Sequence, residues 1–390
     1  MPLQLTEWKV SPPLDLSFED RRTLEDCFES KITSSAAGGQ FQVRPGSVIG
    51  SVTIGDRTIV VQPKLRIDRV LFMTAYAADP YTWRDTWTTI SSTHTLTDGM
   101  AAMFVAACER TLGQGLLRSY RTVDADEVTI KGRIRWQRQA RRPVPLPIAV
   151  RYQVHDDDII ENQTVRAAAS VLRHQRIAAP LVSAGLARIW QQLRHLTPAP
   201  ITPDMIDRIA WTRHNVHYRP LIKLAQTILA NTMADVASGN LPVTGFTLRL
   251  YDVFEQFVRT ALREAVGATI EELPDNPATH GMTLDRNGKI KLEPDLALKT
   301  KRGWRFVGDV KYKRDTGSGH NPDLYQLLAY SMATGLPDAT LIYADGPPAP
   351  TRHQIHNTEK MLLVQHLNLD QQPSAVLRDI GHMAASMGSR

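Results

Sequence analysis

The feature that most constrains this chain is a pair of β-type runs, residues 289–299 and 304–312, joined by the tight Thr300-Lys-Arg-Gly303 turn. Each run carries a carboxylate among apolar residues. Strand side chains alternate between two faces, so Glu293, Asp295 and Ala297 share one face of the first run, and Leu292, Leu296 and Leu298 the other. On the second run Val307, Asp309, Lys311 and Lys313 share a face. Closing the turn sets Asp295 roughly opposite Gly308 and beside Asp309, so two carboxylates and a lysine converge at the middle of a sheet. A surface ion pair between Asp309 and Lys311 is the bland alternative. The neighbouring Val307 and Val310 point instead to a packed strand, where charges need a purpose.

Phosphodiester hydrolysis supplies such a purpose. Hard oxygen ligands hold Mg²⁺ (or Mn²⁺), which keeps several of its waters. The metal activates one water, and a lysine orients it and adds positive charge. The backbone carbonyl of Val310 can also face the metal, and Gly303 and Gly308 leave room for close approach. Asn321-Pro322-Asp323 then opens a helix to about Thr334, with a cap residue, proline in the first turn and an acid near the positive end. Gln326 and Tyr330 lie one turn apart on that helix and can hydrogen-bond a phosphate or order the metal's water, though Tyr330 serves equally well as core. A helix over 250–266 precedes the hairpin, with Tyr251, Phe254, Phe257, Val258, Ala261 and Leu262 as its apolar face. A loop over 275–281 follows it, and a final short apolar strand spans 339–344. Helix, hairpin, helix, strand is a compact α/β unit.

A chain of 390 residues exceeds one ordinary core, so two or three domains are expected. Hydrophobic content of 42% and charged content of 22% are those of a soluble globular protein. The N-terminus lacks a basic stretch before an apolar run, and no apolar segment reaches membrane-spanning length. Cys27 and Cys108 stand far apart in helical-looking segments, so a disulfide framework is not expected and a reducing cytoplasm is. The net charge is +6, yet residues 241–390 carry 17 basic and 17 acidic side chains, leaving the whole surplus, 29 against 23, in residues 1–240. A neutral nuclease half needs help to hold DNA, from the N-terminal half or from a partner.

Upstream, residues 17–30 read as a short amphipathic helix, and 47–54 and 58–64 as a hairpin around Gly55-Asp56. Residues 97–118 read as a buried helix, and 127–136 as a second β region ending in the proline-rich 142–147. Residues 158–196 and 204–237 carry helical spacing on either side of a proline hinge at 197–203. Lys131, Arg133 and Arg135 alternate on one predicted strand face, followed by Arg138, Arg141 and Arg142. Six basic residues in twelve without an acid suit a DNA-phosphate or partner-docking surface, and equally a solvated strand edge guarded by charge. Asp156, Asp157, Asp158 and Glu161 read as an acidic helix N-terminus rather than a metal cluster. His214 with His217, and His353 with His356, lack an evident third ligand. Gly-rich phosphate loops are absent, so the chain itself is not expected to bind GTP or another nucleotide.

The pattern P-D-x(13)-D-x-K followed by Q-x-x-x-Y resembles the PD-(D/E)xK nuclease superfamily and its RecB-type branch. More closely, residues from about 45 to 345 resemble McrC, the nuclease subunit of modification-dependent restriction systems. The matching stretches are Ile59–Lys64, Ile130–Ile134, Asp158–Asn162, Leu250–Glu255, Glu293–Asp295, Gly308–Lys313 and Asp323–Gln326. The resemblance implies Asp295 and Asp309 as metal ligands, Lys311 as the catalytic lysine and Glu255 as an accessory acid. A helix-face pairing of Glu255 with Arg259 is the alternative for that glutamate. It also implies an N-terminal half that docks onto a ring-forming, McrB-like AAA+ GTPase and stimulates its hydrolysis, with cleavage of methylated double-stranded DNA by the assembly. The expected architecture is multidomain α+β: an N-terminal α+β docking domain over 1–150, a helical segment over 151–240, and a restriction-endonuclease-like α/β domain over 241–390. The rival functions are a stand-alone RecB-like repair nuclease and a non-catalytic activator of the motor. Retention of Asp295, Asp309, Lys311 and Gln326 argues against the second.

Overall fold

A computed structural model describes residues 2–35, 39–84, 95–233, 243–315 and 317–388. The chain forms two compact units, Met1–Gly99 together with Asn231–Arg390, and Met100–Ala230. In chain order the elements begin with β1 (Leu3–Thr6), α1 (Phe18–Phe28), β2 (Lys31–Ser34), β3 (Phe41–Arg44), β4 (Val48–Ile54), β5 (Arg57–Gln62) and α2 (Ile67–Ala78). Then come α3 (Leu96–Leu112), β6 (Ser119–Glu127), β7 (Arg133–Ile134), α4 (Trp136–Gln139), β8 (Ile148–Asp156), α5 (Ile160–Arg173), α6 (Pro180–Leu193), α7 (Pro203–Asp207) and α8 (Arg219–Ala230). The chain continues with β9 (Thr232–Met233), β10 (Val243–Arg249), α9 (Leu250–Val266), β11 (Leu296–Thr300) and β12 (Gly303–Arg314). It ends with α10 (Asn321–Thr334), β13 (Asp338–Asp345), β14 (Thr351–Gln354), β15 (Met361–His366) and α11 (Pro373–Gly388).

In the first unit, the hairpin expected around Gly55-Asp56 forms as β4 and β5, with Ile54 opposite Arg57. It sits in a sheet of order β1-β5-β4-β10-β9. The partner of β4 is β10, the strand that runs straight into α9, paired from Ile54↔Val243 to Val48↔Arg249. This places the N-terminal hairpin and the lead-in to the C-terminal helix in one sheet, and the divisions at 150 and 240 read from the sequence do not follow it. Two glycines permit the pairing. Gly50 has φ +131°, and a Cβ there would lie 2.1 Å from the Phe246 carbonyl oxygen; one at Gly245 would lie 2.6 Å from that of Ser51. Helix α1 starts at Ser17 with a reciprocal capping box to Asp20. Helix α2, buried on nearly all sides, packs on α9 through edge-on contacts of Phe72 and Tyr76 with Phe257.

The second sheet of this unit has order β11-β12-β13-β15-β14. Strand β12 runs antiparallel to β11 and parallel to β13, and β13 is parallel to β15. One face packs Val307, Leu341, Tyr343 and Val364 against Leu327 and Tyr330 of α10. On the other face Tyr312 meets Phe254 of α9 edge-on at 5.9 Å. The structure shortens the first predicted strand from 289–299 to Leu296–Thr300, because Pro294 has no N–H for a ladder. Strand β13 is interior rather than final, since β15 pairs along its other edge. His320, not Asn321, caps α10, and Pro322 is its second residue.

The second unit combines the antiparallel sheet β6-β8-β7 with α5 packed on α6 and α8. The predicted strand over 127–136 is replaced by the end of β6, a loop, the two-residue β7 and the start of α4; Gly132, at φ +67°, breaks the extended run. The helix expected over 97–118 stops at Leu112, and the one expected over 158–196 divides before Pro180. Within 204–237 lie α7, a 3₁₀ turn at Val216–Tyr218 and α8, while positions 234–237 fall outside the described residues. Gly50→Ala should lower the melting temperature by roughly 10 °C or more, because its methyl group occupies the space of the β10 backbone. Thermal unfolding of the full chain checks this; a shift of a degree or two would mean that the two strands can part without loss.

Candidate active site

The ladder between β11 and β12 sets the geometry. It starts with Thr300 opposite Gly303, then a β-bulge between Leu298 and Lys299 leaves Arg305 without a partner, so Leu298 faces Phe306 and Leu296 faces Gly308. An unbroken ladder would have put Asp295 opposite Gly308, the register expected from the sequence. The bulge advances it by one residue and brings Asp295 level with Asp309. The Val310 N–H donates to Asp295 Oδ2 at 2.9 Å, and the Asp295 N–H lies 3.5 Å from Asp309 Oδ1. Lys311 Nζ stands 2.5 Å from Asp309 Oδ2, so an ammonium lies directly against the buried carboxylate.

Asp309 is 1% and Asp295 9% exposed. Burial, reinforced by the Asp295 charge, pushes the Asp309 carboxyl up to about 7. Burial and then Glu255 raise Asp295. For Lys311, burial works against the ammonium, but the surrounding carboxylates, Asp309 foremost, outweigh it and hold the lysine charged.

Helix α9 fixes the pair from one side. Tyr251 donates its hydroxyl to Asp295 Oδ2 at 3.2 Å, and the buried Arg259 donates to the Asp295 carbonyl at 3.0 Å and the Asp275 carbonyl at 2.7 Å. Glu255 pairs with Arg259 one turn later, the alternative considered for it, yet it lies close enough to raise Asp295. From α10, Gln326 donates to the Tyr330 hydroxyl at 2.7 Å, and that hydroxyl donates to the Glu293 carbonyl at 3.3 Å. Tyr330 is therefore both core and a brace for the segment leading to Asp295. Tyr251 and the buried arm of Arg259 were legible only as part of an apolar helix face and as a pairing partner for Glu255.

Residues 43–344 match the family described as McrBC 5-methylcytosine restriction system component. The chain belongs to that family. One chain of the refined half-complex from the tetradecameric assembly of Thermococcus gammatolerans McrB AAA+ hexamers with bound McrC matches with a TM-score of 0.55 at 14% identity, over 99% of this chain and 100% of that one. A chain of the cryo-EM structure of the Thermococcus gammatolerans McrBC complex matches at a TM-score of 0.43 and 15% identity, over 68% of this chain and 88% of that one. No curated protein matches the chain. The first likeness shows that this McrBC family member shares its mixed α/β, multi-sheet fold with a chain of that assembly. Among the described residues, no helix is long and apolar enough to cross a membrane.

The basic run of this family member is not the bare positive strand face that the sequence suggested. Lys131 pairs with Glu127, Arg135 with Asp124, and Arg138 and Arg142 with Asp126, because β6 lays its acids beside them. Arg133 and Arg141 have no ion pair among the described residues. Large apolar side chains stand exposed along the same stretch, namely Val128, Ile130, Trp136, Val144 and Leu146. Farther on, Asp156 takes a forked contact from Arg121, Asp158 accepts from Thr197, and Glu161 accepts from Asn215, so these acids hold the fold of their own unit.

A carboxyl free in an unfolded chain titrates near about 4. With Asp309 held up at about 7, unfolding releases its proton between those values, and the folded state weakens as pH rises across that window. Asp309→Asn cannot ionise and should raise the melting temperature of the metal-free protein, by more at pH 8 than at pH 5. Thermal unfolding in chelator at the two pH values measures it; an equal change at both would contradict a repulsive buried pair.

Proposed function

We propose that this chain is an McrC-type nuclease subunit with a PD-(D/E)xK active site, which cuts modified double-stranded DNA in the cytoplasm in complex with an McrB-like AAA+ GTPase ring and stimulates its GTP hydrolysis. The observation that carries the nuclease reading is the buried Asp295–Asp309 pair with Lys311 beside it. Two buried carboxylates that repel each other form a site that a divalent cation would relieve. Among the described residues no third His, Cys, Asp or Glu completes a closed cage. That suits Mg²⁺ (or Mn²⁺), which is held by one or two carboxylates and keeps waters and phosphate oxygens as its other ligands.

Asp295 and Asp309 would hold the ion, with the Val310 carbonyl on the same strand and Glu255 as the accessory acid. When bound, Mg²⁺ activates a water and neutralises charge on the scissile phosphate. Lys311, kept charged by Asp309, orients the nucleophile and stabilises the charge that develops on phosphate oxygens. Arg259 and Tyr251 fix Asp295 so that little reorganisation is needed, and Gln326 is placed to bond a phosphate or a water. The family description supports 5-methylcytosine-containing DNA as the substrate. The partner reading draws on the solved assembly of McrB hexamers with bound McrC, and on the exposed apolar residues between Val128 and Leu146. The exposed apolar side chains set among the arginines of this stretch favour docking to a protein over gripping phosphates.

Plasmid cleavage and GTP turnover with the cognate motor subunit, GTP and Mg²⁺ test this. Asp309→Ala and Lys311→Ala should each lose about 100-fold or more in cleavage. Asp309→Ala should stimulate GTP hydrolysis as well as the wild type does. Full-length variants are the right reagents, since a piece ending at residue 240 lacks β10. Undiminished cutting by Asp309→Ala would remove the proposed site. Efficient cutting by the chain alone, indifferent to partner and nucleotide, would favour a stand-alone RecB-like nuclease.

A further inference from the structure

We infer that Lys313 is a second phosphate-binding lysine of the same site, gripping the nucleic-acid backbone next to the scissile phosphate, and that Asp323 positions it. The inference rests on the nuclease reading and assigns a substrate contact beyond the Asp-x-Lys group. Strand β12 sends Lys311 and Lys313 to the side of α10, about 7 Å apart along the strand.

The two lysines are held differently. Lys311 leans on Asp309, whereas Lys313 Nζ lies 2.7 Å from Asp323 Oδ2 and over the ring of Tyr343. Asp323 is itself buried, in the first turn of α10, and the fully buried Tyr343 donates its hydroxyl to it at 2.6 Å. The same hydroxyl accepts the N–H of His320, the residue that caps α10. Two rigid elements thus fix the carboxylate, and the carboxylate fixes the ammonium. Lys313 is nevertheless 38% exposed at its side chain, so its remaining N–H donors face solvent beside Lys311. A surface ion pair formed only for stability would not need a buried, tyrosine-anchored carboxylate to aim it.

The test is binding of a short DNA duplex by the full chain with its motor subunit in Ca²⁺, across a salt series, beside the cleavage assay in Mg²⁺. Lys313→Gln should lower the slope of log affinity against log salt by about one. It should raise KM for DNA several-fold with kcat within about twofold, and Lys313→Arg should restore both. Asp323→Asn keeps an acceptor for Tyr343 but loses the charge; it should raise KM in the same direction with an unchanged melting temperature. A Lys313→Gln variant with wild-type slope and KM overturns the inference and leaves the nuclease reading standing. A lower melting temperature with unchanged DNA affinity makes the pair structural and overturns it too. A wild-type complex that neither binds nor cuts DNA defeats the nuclease reading, and this inference with it.

Discussion

One backbone N–H decides where the acids of this protein meet. Val310 donates into the Asp295 carboxylate, directly beside Asp309, so a strand edge that would ordinarily bond to another strand bonds to a side chain. The carboxylate can take that place because Pro294 ends the ladder just before it and the bulge at Leu298 has advanced the register. The result is a buried pair of like charges with one ammonium against it, an arrangement unfavourable by itself and tolerated only because the surrounding structure is rigid.

That rigidity comes from both faces of β12. Phe254 of α9 supports Tyr312 on one side, and Leu327 and Tyr330 of α10 cover Val307 on the other. The same helices supply the polar braces, Tyr251 and Arg259 from the first and Gln326 and Tyr330 from the second. Packing and chemistry therefore draw on alternate residues of the same elements. A core substitution in α9 or α10 would displace a brace as well as open a cavity, which makes the site sensitive to residues that touch no substrate.

The local parts of this design were legible in the sequence. Alternation marked β12 and its Asp-x-Lys, proline and acid placement marked the start of α10, and the spacing of four residues paired Glu255 with Arg259. What escaped depended on partners distant in sequence or on a single irregularity. No periodicity announces a bulge, so the register came out one residue short of Asp309. The run from Lys131 to Arg142 looked bare because its neutralising acids, Asp124 and Asp126, reach it only through the pairing of β6 with β8. The pairing of β4 with β10 was invisible for a similar reason, nearly two hundred residues lying between them.

That last pairing bears on how the protein is made. As the chain leaves the ribosome, β4 and β5 emerge early, but the neighbour that covers the free edge of β4 arrives only after residues 100–230 have been synthesised. Through that interval the nascent hairpin offers an open strand edge carrying Val48, Ile49, Val52 and Ile54, the kind that recruits unwanted strands. The intervening unit is contiguous in sequence and is made in full before β10 emerges. The order of synthesis thus ties the closure of the first sheet to the arrival of the strand that opens directly into α9.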